Sequence, residues 1–187
     1  LKHLFILLFG FAMISSSAYT QVKIAKFSYG LGGDVFFVSR SGDSEGSVLS
    51  LNPQVDFFLQ DNFSMGVDVA FQRNSSDGRS SWNLGIGPSL RYYISTNNVL
   101  PFVGIGYSWG TSGISDSDID TNSSVFSASA GFLSFLTRSV ALEPLVRYSR
   151  SSNTSKISTS DGIQEFEFNV SQIYVGIGLK ILIRKEE

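Results

Sequence analysis

The residues able to do chemistry in this chain are few, and their types narrow it. There is one His, His3, and no Cys. Thiolate chemistry, disulfides and cysteine-bound zinc fall away together. Any mechanism that needs an imidazole base depends wholly on His3. Seven charged residues interrupt stretches that otherwise alternate apolar and small: Asp34, Asp56, Asp68, Arg91, Glu143, Arg147 and Lys180. Four acids against three bases is nearly balanced. That suits a network of ion pairs, because buried charges are costly unless paired. The sharper alternative is a gated conduit or an acid–base site. Asp116, Asp118, Asp120 and Asn122 alternate like the oxygen ligands of a calcium loop. The Gly and distal Glu of that motif are missing, so a solvated acidic loop is the better reading. Gly-Ile-Gly recurs at 85–87, 104–106 and 176–178 with no Gly-Lys-Ser/Thr, so no phosphate loop is indicated. No catalytic residue, cofactor or metal site is assigned.

The first twenty residues read as a secretory signal peptide. A basic start precedes the apolar run Leu4–Ile14, then Ser15-Ser16-Ser17-Ala18. Such a run is too short to span a bilayer as a helix. Cleavage is expected after Ala18 or Thr20, leaving residues 21–187 as one domain. It would remove His3, and the mature chain would then hold no imidazole at all.

The remaining chain alternates with period two in eight segments. The clearest is Ser81–Ile94, where Trp82, Leu84, Ile86, Leu90 and Tyr92 face away from Asn83, Gly85, Gly87, Ser89 and Arg91. Phe27–Ser39, Ser47–Leu59, Phe63–Arg73, Leu100–Gly110, Val125–Leu136, Val140–Arg150 and a segment from Phe166 to Ile183 behave alike. Alternation at this period means half-buried strands. The spacing predicts an all-β fold of about eight strands, each near the 9–11 residues that a tilted strand needs to cross a bilayer. Polar connections Arg40–Gly46, Asn74–Ser80, Thr111–Ser124 and Ser151–Glu165 are expected as long loops. Gln60–Asn62, Ser95–Val99 and Thr137–Ser139 are expected as tight turns. Long loops on one rim and short turns on the other mark an outer-membrane barrel. With an even strand count both termini are expected on the short-turn, periplasmic side. A phase change at Ser171-Gln172 suggests a β-bulge. Pro53, Pro88 and Pro144 lie inside strands and cannot donate to a ladder, so local bulges are expected there also.

The face opposite the apolar one is mostly Gly, Ser, Asn, Asp and Gln. That makes a poor solvated exterior but a good narrow interior, and eight strands leave room only for packed side chains. A soluble barrel would invert this pattern. Outward aromatics fall near the strand ends. Phe27, Tyr29, Phe57, Phe63 and Tyr92 sit toward the short turns. Phe37, Phe71, Trp82, Trp109, Phe126 and Tyr148 sit toward the long connections. Two girdles at bilayer interfaces would place them so. Counted from the short turns, Asp56, Arg91, Glu143 and Lys180 are each three residues up. Arg147 and Asp34 flank the last strand at similar height.

Composition agrees. Of 187 residues, 42% are hydrophobic but only 16% are charged, below the roughly 25% of a soluble domain. The charge is replaced by 33 Ser and 18 Gly. A net charge of −2 gives a nucleic-acid partner no electrostatic support.

The stretch from Asn83 to Tyr93 (NLGIGPSLRYY) and that from Leu100 to Tyr107 (LPFVGIGY) resemble the outer-membrane β-barrel domain family. These are the small OmpA/OmpX-like, opacity-type porin family proteins of Gram-negative bacteria, with a Bacteroidetes-like flavour. The resemblance covers the whole mature chain. It implies an eight-stranded antiparallel up-and-down transmembrane β-barrel in the outer membrane. Gly176, Leu179 and Ile181 resemble the terminal signal read by the barrel insertion machinery, but no terminal aromatic follows. The His-dependent lipases, deacylases and proteases of outer membranes are excluded for a mature chain without His. The expected role is non-enzymatic, structural or surface-interacting through the long loops. A narrow porin-like channel is the alternative, and a secreted soluble barrel with an apolar ligand a remote one. Expected partners are outer-membrane lipid and, during assembly, the insertion machinery; the protein is expected to be a monomer, with its extracellular ligand unknown.

Overall fold

The computed structural model describes residues 24–40, 46–76, 79–95, 99–114, 120–159 and 162–183. The expected signal segment, the acidic run 116–119 and the tail 184–187 lie outside these residues, and the description does not extend to the side chains of Phe37 and Asp120. Eight strands follow in chain order: β1 (Tyr29–Arg40), β2 (Gly46–Gln60), β3 (Phe63–Ser76), β4 (Arg79–Tyr93), β5 (Val99–Ile114), β6 (Asp120–Phe135), β7 (Val140–Thr159) and β8 (Gly162–Ile183). Each pairs antiparallel with its neighbours in sequence, and β1 pairs with β8 to close the barrel. Among the described residues there is no helix.

The period-two pattern becomes the two faces of the wall. Outward Ile86 and Trp109 are 56% and 57% exposed, whereas inward Arg91 and Lys180 are 4% and 1% exposed. Charge inside and aliphatic surface outside inverts what water selects. An apolar surface this extensive calls for a lipid solvent.

The strands are longer than alternation alone indicates, and this corrects the expected loops. Within Ser151–Glu165, the described residues 151–159 and 162–165 are strand, not loop. β7 and β8 pair without interruption out to Thr159 opposite Gly162. Asn74–Ser80 and Thr111–Ser124 are likewise largely strand, paired out to Ser76 opposite Arg79 and Gly113 opposite Asp120. The ladder is made by the backbone, so Ser, Thr and Asn continue it once the outer face no longer needs to be apolar. Loss of hydrophobic alternation marked the end of the lipid-facing wall, not the end of the strand.

The same reasoning removes the expected bulge at Ser171-Gln172, because the β7–β8 register is constant through it. β8 keeps its geometry while its chemistry inverts. Phe166, Phe168 and Val170 share the inner face with Gln172 and Tyr174, and Glu165, Glu167 and Asn169 share the outer face with Ile173. β1 accompanies β8 only up to Val35 opposite Ile177, so the upper part of β8 has β7 as its ladder partner.

Nor do the prolines sit in bulges. Pro53 pairs with Gly33 on β1, while the β2–β3 ladder lapses at Asn52 and Pro53 and resumes in the same register. Pro88 is paired toward β3 and unpaired toward β5. Pro144 is paired toward β8 and unpaired toward β6. A missing N–H costs a contact on one side only, so the ladder tolerates a gap without an inserted residue. A register shift does occur between β2 and β3, between Phe58 and Gln60, at the short-turn rim.

The interior also differs from expectation at that rim. Phe58, Tyr93, Leu100, Phe102, Leu133, Ala141 and Leu182 are all buried and form an apolar core inside the lower barrel. Ile24 joins it from below. The segment carrying Ile24 is held by the turn after β2. Ile24 N donates to Asn62 Oδ1 at 3.1 Å, and Asn62 N donates to Ile24 O at 3.0 Å. Lys26 N donates to Asp61 Oδ1 at 2.9 Å.

Candidate functional site

Above the apolar floor lies a layer of buried charge. Lys180 on β8 pairs with Asp56 on β2, with side chains 1% and 0% exposed. Lys180 Nζ also donates to Gln54 Oε1 at 3.2 Å and lies 3.9 Å from Glu143 Oε2. Arg91 Nη1 on β4 reaches Glu143 Oε1 on β7 at 2.6 Å. The layer rests directly on the aromatics beneath it. The Arg91 guanidinium sits 5.0 Å from the centroid of the Phe102 ring, and Lys180 Nζ sits 6.0 Å from that of Tyr93.

A second tier stands higher. Arg147 Nη2 on β7 donates to Asp34 Oδ2 on β1 at 2.8 Å, and Asn52 Nδ2 donates to Asp34 Oδ1 at 2.6 Å. Asp68 is placed differently. It accepts from Ser89 Oγ at 2.9 Å, and Ser89 Oγ accepts from Gln54 Nε2 at 3.3 Å. A hydrogen-bond chain thus runs from the Lys180 ammonium through Gln54 and Ser89 to Asp68. Among the described residues, Asp68 alone of the four inward carboxylates has no ion pair.

The seven charges singled out in the sequence therefore fall into two tiers. Asp56, Arg91, Glu143 and Lys180 make the lower one. Asp34, Arg147 and, apart from them, Asp68 make the upper. The floor of Phe58, Tyr93, Phe102, Leu133 and Leu182 was missed. Its signal is the apolar doublets Phe57-Phe58, Tyr92-Tyr93, Phe132-Leu133 and Ile181-Leu182. There the wall is apolar on both faces, which a reading tuned to alternation overlooks.

Over the charged layer the interior opens into a cavity of about 140 Å³. Asp34, Asn52, Asp68 and Arg147 line its lower part, and Gln72, Ser149, Gln172 and Tyr174 its upper part. Room exists because the β4–β5 wall there is glycine: Gly85, Gly87, Gly106 and Gly110. No group of three or more His, Cys, Asp or Glu able to hold a metal ion occurs among the described residues. The geometry offers charge, hydrogen bonds and a small polar space.

Outside, aromatics gather toward both rims. Tyr29 and Phe57 lie 5.2 Å apart between ring centroids near the short turns, and Tyr107 and Trp109 lie 5.0 Å apart toward the hairpins.

Residues 5–180 match the family described as outer membrane protein beta-barrel domain. No curated protein matches the chain. Solved structures share the fold at low identity. The outer membrane protein OprG from Pseudomonas aeruginosa superposes with a TM-score of 0.57 at 12% identity, over 91% of this chain and 99% of that one. AlkL, solved in lipid bilayers, gives 0.58 at 14%, covering 92% and 95%. Neisserial surface protein A gives 0.55 at 16%, covering 82% and 94%.

Proposed function

Because this chain belongs to the outer membrane protein beta-barrel domain family, we propose that it is a non-enzymatic outer-membrane barrel, closed to passage, that acts at its long-hairpin rim. The observation that carries the reading is the two-layer seal. An apolar floor and, directly above it, a layer of ion-paired charges fill a barrel whose bore is just wide enough for side chains. Moving an ion past Lys180 and Asp56 would mean parting two charges that have no water around them.

The bilayer contact follows from the outer face. From Tyr92 to Trp82, β4 runs roughly 33 Å, which at a tilt near 40° gives an apolar band of about 25 Å. The inversion at Ile173 on β8 sits at its upper edge. The β5–β6 and β7–β8 hairpins then stand in water with a polar outer surface, and both termini face the periplasm. Lipid is the partner along the wall, the insertion machinery reads the last strand, and a closed wall without a free lower edge suits a monomer. Residues 24–183 contain no His and no Cys. That supports a role without His- or Cys-based catalysis.

Single-channel recording in planar bilayers tests this reading. The intact barrel is expected to give no steady openings, and a Phe58→Ala/Phe102→Ala variant to give openings or flicker. Steady conductance from the unaltered protein would replace it with the narrow porin-like channel.

A further inference from the structure

Among the described side chains the charges inside the barrel do not balance, and one carboxylate is in excess. Lys180, Arg91 and Arg147 are matched by Asp56, Glu143 and Asp34, which leaves Asp68 over. Asp68 lies at the floor of the upper cavity and has Ser89 as its hydrogen-bond donor. A part-buried carboxylate at the cavity floor with no ion pair is stabilised when a cation meets it. A second observation in the same cavity is independent of charge. Ser123, on β6, is 6% exposed, lines the cavity, and its Oγ has no hydrogen-bond partner among the described residues. A buried hydroxyl left unpaired is uncommon and calls for a ligand or water.

The space suits something larger than an ion. About 140 Å³ holds roughly ten water-sized groups. Its walls offer amides and hydroxyls, from Asn52, Gln72, Ser149 and Tyr174, which exchange hydrogen bonds in both directions. Arg147 is present, but Asp34 already takes its charge.

We propose that the upper cavity is a binding site for a small hydroxylated ammonium compound, with its ammonium group on Asp68 and its hydroxyls on the amide and serine wall. The β4–β5 glycines make the wall that the ligand lies against. Ser123 Oγ takes one of the ligand's polar groups. The site does not depend on the barrel being closed, because binding in micelles is read separately from conductance.

Isothermal titration of the refolded full chain, in a polyoxyethylene detergent at low ionic strength, tests this with glucosamine, glucose and acetate. Glucosamine is expected to bind saturably and glucose about tenfold or more weakly, the difference made by one charge-assisted hydrogen bond. Asp68→Asn is expected to remove that preference. Gly176→Leu gives a second handle. A Cβ at Gly176 meets nothing within 4 Å, so the side chain enters the cavity without disturbing the wall. It is expected to abolish glucosamine binding and to retain the heat-dependent gel shift of a folded barrel. Equal binding of glucose and glucosamine, tighter binding of acetate, unchanged binding by Asp68→Asn or Gly176→Leu, or no binding by the intact barrel would each overturn the proposal. If Asp68→Asn does not fold, the glucosamine-to-glucose ratio and Gly176→Leu decide.

Discussion

Lys180 and Asp56 form their ion pair across a strand that belongs to neither of them. Lys180 is on β8 and Asp56 on β2, and β1 runs between. They meet because β1 carries Gly30 at the crossing. A Cβ there would lie 2.9 Å from Lys180 Cε and 3.3 Å from Asp56 Cβ. Glycine is favoured there by that close approach rather than by backbone conformation. Gly104 on β5 does the same for Arg91, whose Cγ would be 3.0 Å from an added Cβ.

Removing one partner of the Lys180–Asp56 pair leaves a charge buried and unmatched. Lys180→Met is expected to destabilise the barrel by about 3–5 kcal/mol. Lys180→Met with Asp56→Leu is expected to recover most of that. Urea unfolding in lipid vesicles measures both. A double variant that loses the sum of the two single losses would show that the residues act independently.

The two arginine pairs differ in their access to water. The Arg91 side chain is 4% exposed and that of Arg147 is 17% exposed. Arg91→Ala is therefore expected to cost more than Arg147→Ala, on the order of 3–5 against 1–2 kcal/mol. The same unfolding assay ranks them. An Arg147→Ala barrel as stable as the unaltered one would remove the Asp34 pair from the account.

The unbroken β7–β8 register makes a covalent prediction. Ser152 and Asn169 are directly opposed, with Ser152 Oγ 2.7 Å from Asn169 Oδ1. A Ser152→Cys/Asn169→Cys variant is expected to form a disulfide under mild oxidation, visible as an altered gel mobility. Asn153→Cys/Asn169→Cys is expected to stay reduced, since those side chains point to opposite faces. Cross-linking of the second pair instead of the first would restore a one-residue bulge.

The upper edge of the lipid-facing band can be mapped by arginine. Ile86→Arg, on the outward face of the wall, is expected to cost about 2–4 kcal/mol, and Asn169→Arg, on the outward face of the hairpin, about 0–1 kcal/mol. Folding efficiency and unfolding in vesicles give both. Equal penalties at the two positions would mean that the band does not end below Asn169.

Much of the barrel was legible in the residues. Strand number, the identity of the outward face and the inward placement of all seven charges follow from alternation, because side chains on a strand take opposite faces in turn. The doublets at Phe57-Phe58 and Tyr92-Tyr93 were visible too, but they break that alternation. Only Phe57 and Tyr92 were assigned, to the outer face, and the inward Phe58 and Tyr93 went unread. Strand ends were not legible. Ser151–Glu165 has the composition of a loop, yet its backbone pairs as well as any other part of β7 and β8.

The sequence by itself determined which residues face lipid and which face the bore, since that depends only on a local period of two and on apolar against polar chemistry. Which of the inward residues at one height pair with each other was decided by the tertiary structure. Closing β1 onto β8 sets the stagger of every strand, and stagger decides that Lys180 finds Asp56, that Arg147 finds Asp34, and that Asp68 is left over. Counting from the short turns sets Asp56, Arg91, Glu143 and Lys180 at one height and Arg147 near Asp34, but the pairing within the lower tier is a property of the closed ring.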